Sequence, residues 1–248
     1  MYFCSPKQTL AMLHIKNFVF NSFREHCYLV WDDTLEGVII DPGACSDYEK
    51  DTLYEEVASD KLKIKYVLLT HAHFDHIYAV KACADKYGAE VLMNPAEWDL
   101  IKELVPMSDR FGMPCPDTSF RTGDLRDGDI VRFGQTSFKV IATPGHSPGG
   151  VCFYDEADKV IFTGDTLFAG TIGRTDVPLG NYDDLIKGIM EKLMVLPGDV
   201  DIIPGHGYGS NIAEERTSNP FLQPFNEPEE NEKPADDSVN PIEIHPLV

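Results

Sequence analysis

The chain has little of what would mark a secreted scaffold, a membrane span or a nucleic-acid binder. Its six cysteines (Cys4, Cys27, Cys45, Cys83, Cys115 and Cys152) form no C-x-x-C pair, so neither a zinc ribbon nor a dithiol redox motif is written here. They are too sparse for a disulfide-stapled scaffold and read as reduced and mostly structural. No unbroken apolar stretch reaches the roughly 18 residues that a spanning helix needs. The opening MYFCSPKQTLAMLHIKNF lacks a basic start followed by an apolar run, so no secretory signal is expected and the cytoplasm is the expected compartment. Met12 is an alternative start. Positive charge is also scarce: 21 Lys and Arg face 41 Asp and Glu, a net charge of −20. Such a balance repels phosphate backbones and argues against a nucleic-acid partner.

What is present reads as alternating strands and helices. Met12–Phe20, His26–Trp31 and Gly37–Asp41 carry strand-forming residues, and Asp41-Pro42-Gly43 is a turn signal. A helix is expected over Asp47–Ser59. Ile64–Thr70 is a nearly continuous apolar strand, as expected where both faces are covered. Asp75–Tyr87 predicts a helix with Ile77, Val80, Ala84 and Tyr87 on its buried stripe and Gly88 as its stop. A strand at Ala89–Met93 and a helix at Pro95–Val105 follow, and Pro106–Gly128 reads as one long loop. Further strands are expected at Ile130–Phe133, Ser137–Thr143, Val151–Tyr154, Val160–Thr163 and Val200–Ile203. Asn181 is placed to cap a helix through Met194, and Ile212–Thr217 reads as a short helix. Strand spacing favours mixed sheets stacked between helices. We divide the chain into a domain over 1–225 and an acidic, Pro-rich flexible tail over 226–248, where seven acids face one lysine and too little apolar surface exists to order the chain.

Five of the eight histidines sit in tight loops just after expected strands. His71, His73 and His76 fall in T-H-A-H-F-D-H, His146 in T-P-G-H-S-P-G-G and His206 in I-P-G-H-G, while Asp165 follows a strand as T-G-D-T. Residues two apart in extended chain point the same way, so His71 and His73 can grip one ion. Asp75 and His76 open the next helix and, pointing differently, can reach a second. A lone histidine after a strand is usually a core or surface residue. Four potential ligands within six residues, with three more framed by Pro and Gly, are a different matter. Seven ligands exceed one closed four-coordinate structural site and fit two ions sharing a bridging carboxylate. Imidazole and carboxylate donors suit zinc, with iron or manganese as alternatives.

T-H-A-H-F-D-H followed in order by His146, Asp165 and His206 resembles the metallo-β-lactamase superfamily, over nearly all of 12–225. The resemblance implies a four-layer αββα sandwich, an α/β fold with two mixed sheets flanked by helices and the metals at one edge. It implies that His71, His73 and His146 bind one metal, that Asp75, His76 and His206 bind the other, and that Asp165 bridges. Within the superfamily, T-G-D-T-L-F-A-G-T-I-G-R-T-D and P-G-H-G are similar to glyoxalase II-like hydrolases, in the compact type without the helical glutathione-binding domain. Where the family often has a Gly-rich step, this chain has Ile77-Tyr78-Ala79.

The implied activity is attack on a small thioester or ester by a hydroxide held between two divalent ions. Asp75 would orient that nucleophile. Arg174 is the candidate for gripping a substrate carboxylate, with a salt bridge to Asp176 as the alternative reading. Tyr78 and Phe168 are candidate pocket residues, although aromatic residues are more often core. The competing reading is a mono-iron persulfide dioxygenase, which the chain resembles in G-R-T-D. A non-catalytic metal-binding module is a third reading, and a nuclease is disfavoured by the acidic balance.

Overall fold

The computed structural model describes residues 12–223; the tail expected over 226–248 and the residues before Met12 lie outside the described residues. The first half runs β1 (His14–Phe20), β2 (Glu25–Trp31), β3 (Glu36–Ile40), α1 (Asp47–Ser59), β4 (Lys63–Leu68), α2 (Phe74–Ile77), α3 (Val80–Tyr87), β5 (Glu90–Met93), α4 (Glu97–Leu104), a 3₁₀ segment (Val105–Phe111) and β6 (Thr122–Asp124). The second half runs β7 (Ile130–Phe133), β8 (Thr136–Ala142), β9 (Val151–Asp155), β10 (Val160–Gly164), β11 (Leu167–Phe168), β12 (Thr171–Ile172), α5 (Tyr182–Gly188), a π segment (Ile189–Leu193), β13 (Asp201–Pro204), β14 (Ser210–Asn211) and α6 (Ile212–Ser218).

Two six-stranded sheets result, in the orders β1-β2-β3-β4-β5-β6 and β14-β13-β10-β9-β8-β7. Both are mixed: β1 to β3 are antiparallel and β3 to β6 parallel, while β13 joins β10 in parallel beside antiparallel neighbours. Alternation along the strands builds the layers. In β2, Tyr28 and Val30 face the second sheet, where they meet Phe138, Phe153 and Phe162. Cys27 and Leu29 face the other way, onto Leu53, Val57, Val80 and Cys83 of α1 and α3. In β9, Val151 and Phe153 face the inter-sheet core, while Cys152 and Tyr154 face Leu185, Ile189 and Leu193. The expected four-layer αββα sandwich is the observed one. Among the described residues no helix is long and apolar enough to cross a membrane, and the five described cysteines are free.

Three expectations need correction. The single helix over Asp75–Tyr87 is two, because the Ala79 N–H donates to Pro42 O at 2.8 Å instead of continuing the helical ladder. The loop over Pro106–Gly128 is not structureless. It begins as a 3₁₀ turn, and Thr122–Asp124 pairs in parallel with β5 as the edge of the first sheet. The helix expected to run to Met194 widens after Gly188 into a π turn, in which Met194 N reaches Ile189 O at 2.9 Å. Its stripe of Leu185, Ile186, Ile189 and Leu193 is buried as expected, and the Asn181 side chain caps it by accepting from Asp184 N.

Candidate metal centre

The ends of β4, β8, β10 and β13 lie along one edge of the sandwich, and the loops leaving them carry the candidate ligands. The two sheets are stitched there by backbone. Val151 N donates to Thr70 O and His26 N to Gly205 O, each at 2.8 Å, while Gly205 N ties β13 to β10 within the second sheet by donating to Gly164 O at 2.8 Å. β10 shifts register between Phe162 and Gly164 against β13. A bulge of this kind re-aims the following side chain, here Asp165. Glycine is required beside it. A Cβ on Gly205 would stand 2.4 Å from Asp165 Oδ1 and 2.9 Å from His76 Cε1.

The seven sequence-predicted ligands come together. Ring centroids of His71 and His146 are 4.9 Å apart, and those of His73 and His146 are 4.4 Å apart. One donor atom from each of His71, His73 and His146 lies within 4.8 Å of the other two, and the same holds for Asp75, His76 and His206. Asp165 stands between the groups. Its Oδ2 is 3.5 Å from His146 Nε2 and 3.6 Å from His206 Nε2, and its Oδ1 is 3.6 Å from His76 Nε2. His206 Nε2 is 3.4 Å from Asp75 Oδ2.

The imidazoles are aimed by what holds their outer nitrogens. His146 Nδ1 lies 2.8 Å from Arg174 O, and His206 Nδ1 lies 3.1 Å from Phe23 O. A carbonyl only accepts, so each Nδ1 carries the proton and each Nε2 is left with its lone pair facing inward. Asp41 does the same for two rings. Its Oδ2 is 3.1 Å from His76 Nδ1 and accepts from Thr70 Oγ1. With its own proton spent on Asp41, the Thr70 hydroxyl accepts from His71 Nδ1 at 3.0 Å. The buried Nε2 atoms of His71 and His146, and Oδ1 of Asp165, are left with no hydrogen-bond partner among the described residues. Buried polar atoms ordinarily have one, and a cation would supply it. The donor set of histidines and aspartates therefore fits divalent metal ions.

The electrostatics divide the site. Burial pushes His73 down to about 3 and lowers His71 further from its ordinary range, with His76 adding to the effect on His71. Both rings are therefore neutral donors. Burial opposes charge on His76 too, but the carboxylates of Asp165, Asp75 and Asp41 outweigh it and raise that ring. Burial likewise opposes ionisation of Asp75, yet His76 and His206 hold its carboxyl below the usual carboxylate range.

Residues that carry no motif complete the site. Asp41 was readable only as part of a turn signal, and Thr70 as a strand end. Glu97, fully buried at the start of α4, accepts from Ala72 N and from Gly149 N, each at 2.6 Å. Burial pushes its carboxyl up to about 7 against the pull of the Ser147 side chain and of those two N–H donors. Glu25 is also fully buried beside the Asp75 backbone, and burial raises its carboxyl well above the usual range. Nothing in the sequence separates these two glutamates from surface acids.

The three expected substrate contacts occupy three distinct settings. The Arg174 guanidinium is exposed and makes a two-point pair with Asp176 at 2.9 and 3.0 Å, while its backbone carbonyl holds His146. Tyr78 sits at the break between α2 and α3 against Phe74, with ring centroids 6.3 Å apart. Phe168 is half-buried in β11, opposite Thr171. An aromatic group that sequence reasoning missed adjoins the centre. Phe74, between His73 and Asp75, packs on Phe23 and Phe111 with centroids 5.4 Å away in each case. Phe23 and Phe111 remain 38% and 55% exposed, a partly open apolar surface beside the ligand cluster.

Comparison with known proteins agrees with this architecture. Residues 22–206 match the family model of the metallo-beta-lactamase superfamily. A curated relative, hydroxyacylglutathione hydrolase GloC of Haemophilus influenzae, is 39% identical over 207 residues, covering 81% of this chain and 94% of that protein. Similar crystal structures include the B3 metallo-beta-lactamase BLEG-1, with a TM-score of 0.77 and 34% identity over 84% of this chain and 99% of that one. TTHA1623 in a di-iron-bound form gives a TM-score of 0.73 and 33% identity over 84% of this chain and 100% of that one. ETHE1 from Myxococcus xanthus gives 0.69 and 29%, over 87% and 92%. The chain belongs to the metallo-β-lactamase superfamily.

Proposed function

We propose that this metal-dependent hydrolase cleaves a small thioester or ester in the cytoplasm, in the manner of a glyoxalase II-like enzyme, with two divalent ions, zinc in the first instance. His71, His73 and His146 would hold one ion, Asp75, His76 and His206 the other, and Asp165 both. The observation that carries the reading is the convergence of seven donors whose inward nitrogens and oxygens include buried atoms without partners. The likeness to a protein named as a hydroxyacylglutathione hydrolase supports the substrate class. The di-iron form of TTHA1623 supports iron as an alternative metal.

Two bound divalent ions would supply an acidified water and Lewis-acid stabilisation of an oxyanion. The chain's own residues do the rest. Water adds to the carbonyl carbon, the C–S bond breaks, and a carboxylic acid and a thiol leave. Asp75, held below the usual carboxylate range by His76 and His206, is a weak base and orients the water as a hydrogen-bond acceptor. Phe23, Phe74 and Phe111, with Tyr78 and Phe168 as further pocket residues, would cover the apolar part of the substrate. Arg174 would exchange Asp176 for a substrate carboxylate.

One specific likeness favours a second reading. The G-R-T-D segment resembles that of mono-iron persulfide dioxygenases, and the likeness to ETHE1 leaves this reading open. The deciding experiment is metal analysis of freshly purified protein with two assays, a thioester panel including S-lactoylglutathione and oxygen uptake with glutathione persulfide. Two metals per chain with thioester turnover supports hydrolysis. One iron with oxygen uptake and no thioester turnover overturns it.

A further inference from the structure

We propose that Glu97 is a positioning residue, a carboxylate clamp that fixes the distance between the His71/His73 pair and His146 and so sets the affinity of the three-histidine site. The inference rests on the ligand assignment in the proposed function, although not on the identity of the substrate.

Segments 70–72 and 149–151 run beside one another where the two sheets meet. At one end they join directly, with Val151 N donating to Thr70 O at 2.8 Å. At the other end, two donors need an acceptor: Ala72 N on the first segment and Gly149 N on the second. Two N–H groups cannot bond each other. Glu97 supplies what is missing, with Oε2 accepting from Ala72 N and Oε1 from Gly149 N, each at 2.6 Å. Distances this short belong to charge-assisted bonds. Ala72 stands between His71 and His73, and Gly149 lies three residues after His146. The carboxylate therefore spans the gap between a loop of the first sheet and a loop of the second, directly behind the ligands.

The geometry is specific to a glutamate. Both oxygens must accept, so an amide would turn an NH2 group against one of the N–H donors. Approach is close: a Cβ on Gly149 would stand 2.8 Å from Asn94 Oδ1, just before α4. A fully buried carboxylate is costly, and a purely apolar seam would hold two loops together without one. The cost is explained if the two N–H groups must be held at one separation.

The test is zinc titration of metal-free wild type, Glu97→Gln and Glu97→Asp against a chromophoric chelator. Visible spectra of the cobalt(II)-loaded proteins and circular dichroism accompany it. For a folded Glu97→Gln, zinc affinity should fall at least tenfold in one binding step and stay within about twofold in the other, the range expected when a group supporting metal ligands is lost. One of two cobalt environments should change. Glu97→Asp retains both acceptors and should recover part of the loss, which keeps the test open if the glutamine variant does not fold. Unchanged zinc affinity in both steps, an equal loss in both, or no recovery by aspartate overturns the proposal. Wild type that binds two zinc ions yet hydrolyses no thioester would sink the hydrolase reading and leave the clamp standing.

Discussion

Asp41 Oδ2 stands 3.1 Å from His76 Nδ1 and at the same time accepts from the Thr70 hydroxyl that supports His71. One carboxylate thus orients a ligand in each half of the metal centre, from the end of a strand that donates no ligand itself. Asp41 holds this place with a φ of 48°, a left-handed conformation that aspartate tolerates better than most residues. Replacing it with alanine should leave His76 and His71 free to choose the wrong tautomer. Losses of about 10- to 100-fold in metal affinity accompany the removal of such partners. Metal retention after dialysis against a weak chelator measures this, and retention equal to wild type would refute the role.

Gly205→Ala should act through space alone. The added methyl would meet Asp165 Oδ1 at 2.4 Å and His76 Cε1 at 2.9 Å, so the Asp165 carboxylate must move. We expect a folded protein with kcat down about 100-fold, the cost of misplacing a reacting group by about 1 Å, and with less than full metal occupancy. Circular dichroism, metal content and turnover together check it.

Phe111→Ala trims the most exposed ring of the aromatic group beside the centre. The metal content should not change. KM for thioesters with bulky apolar acyl groups should rise about 10-fold, which matches the loss of a little over 1 kcal/mol of apolar contact, while small acyl groups are affected little. Equal effects on both substrate sizes would remove Phe111 from the pocket.

Asp32 gives a pH-dependent prediction outside the candidate metal centre. It is buried and accepts from Thr34 N at 2.9 Å, Gln135 N at 2.5 Å and Thr136 N at 3.1 Å, tying the β2–β3 turn to the β7–β8 turn. Burial resists its ionisation, but these donors and the Thr34 hydroxyl prevail and lower its carboxyl from the ordinary value of 3.8. A carboxyl with a depressed folded value stabilises the protein above its unfolded value, and that stability is lost as pH falls through the folded one. Asp32→Asn should therefore cost about 2 kcal/mol at pH 7, as expected for bonds to a charged group. The gap from wild type should close as pH falls below about 4. Urea midpoints at both pH values decide this, and a constant gap would contradict it.

Much of the architecture could be read from residue pattern because strands buried on both faces betray themselves as apolar runs, as Val160–Thr163 does and as Ile64–Thr70 does from Val67 onward, Lys65 being exposed. The helix over Asp47–Ser59 was legible to the residue. β6 was not, because Thr122-Gly123-Asp124 has no strand-like composition and owes its form to pairing with β5. The break at Tyr78-Ala79 was hidden because its cause, the carbonyl of Pro42, lies far along the chain. The same distinction runs through the site. Residues that would touch metal announce themselves by type and spacing, whereas Glu97 and Asp41 do their work through backbone N–H groups and ring nitrogens, which leave no trace in composition.

The stitched edge of the sandwich has a consequence for how the molecule comes apart. Each proposed cation takes partners from loops of both sheets, so neither half of the chain could retain one by itself. The ions would then behave as fasteners across a seam. Prising the sheets apart would empty both positions together, and stripping the ions would loosen the joint between two otherwise intact halves before either half melts.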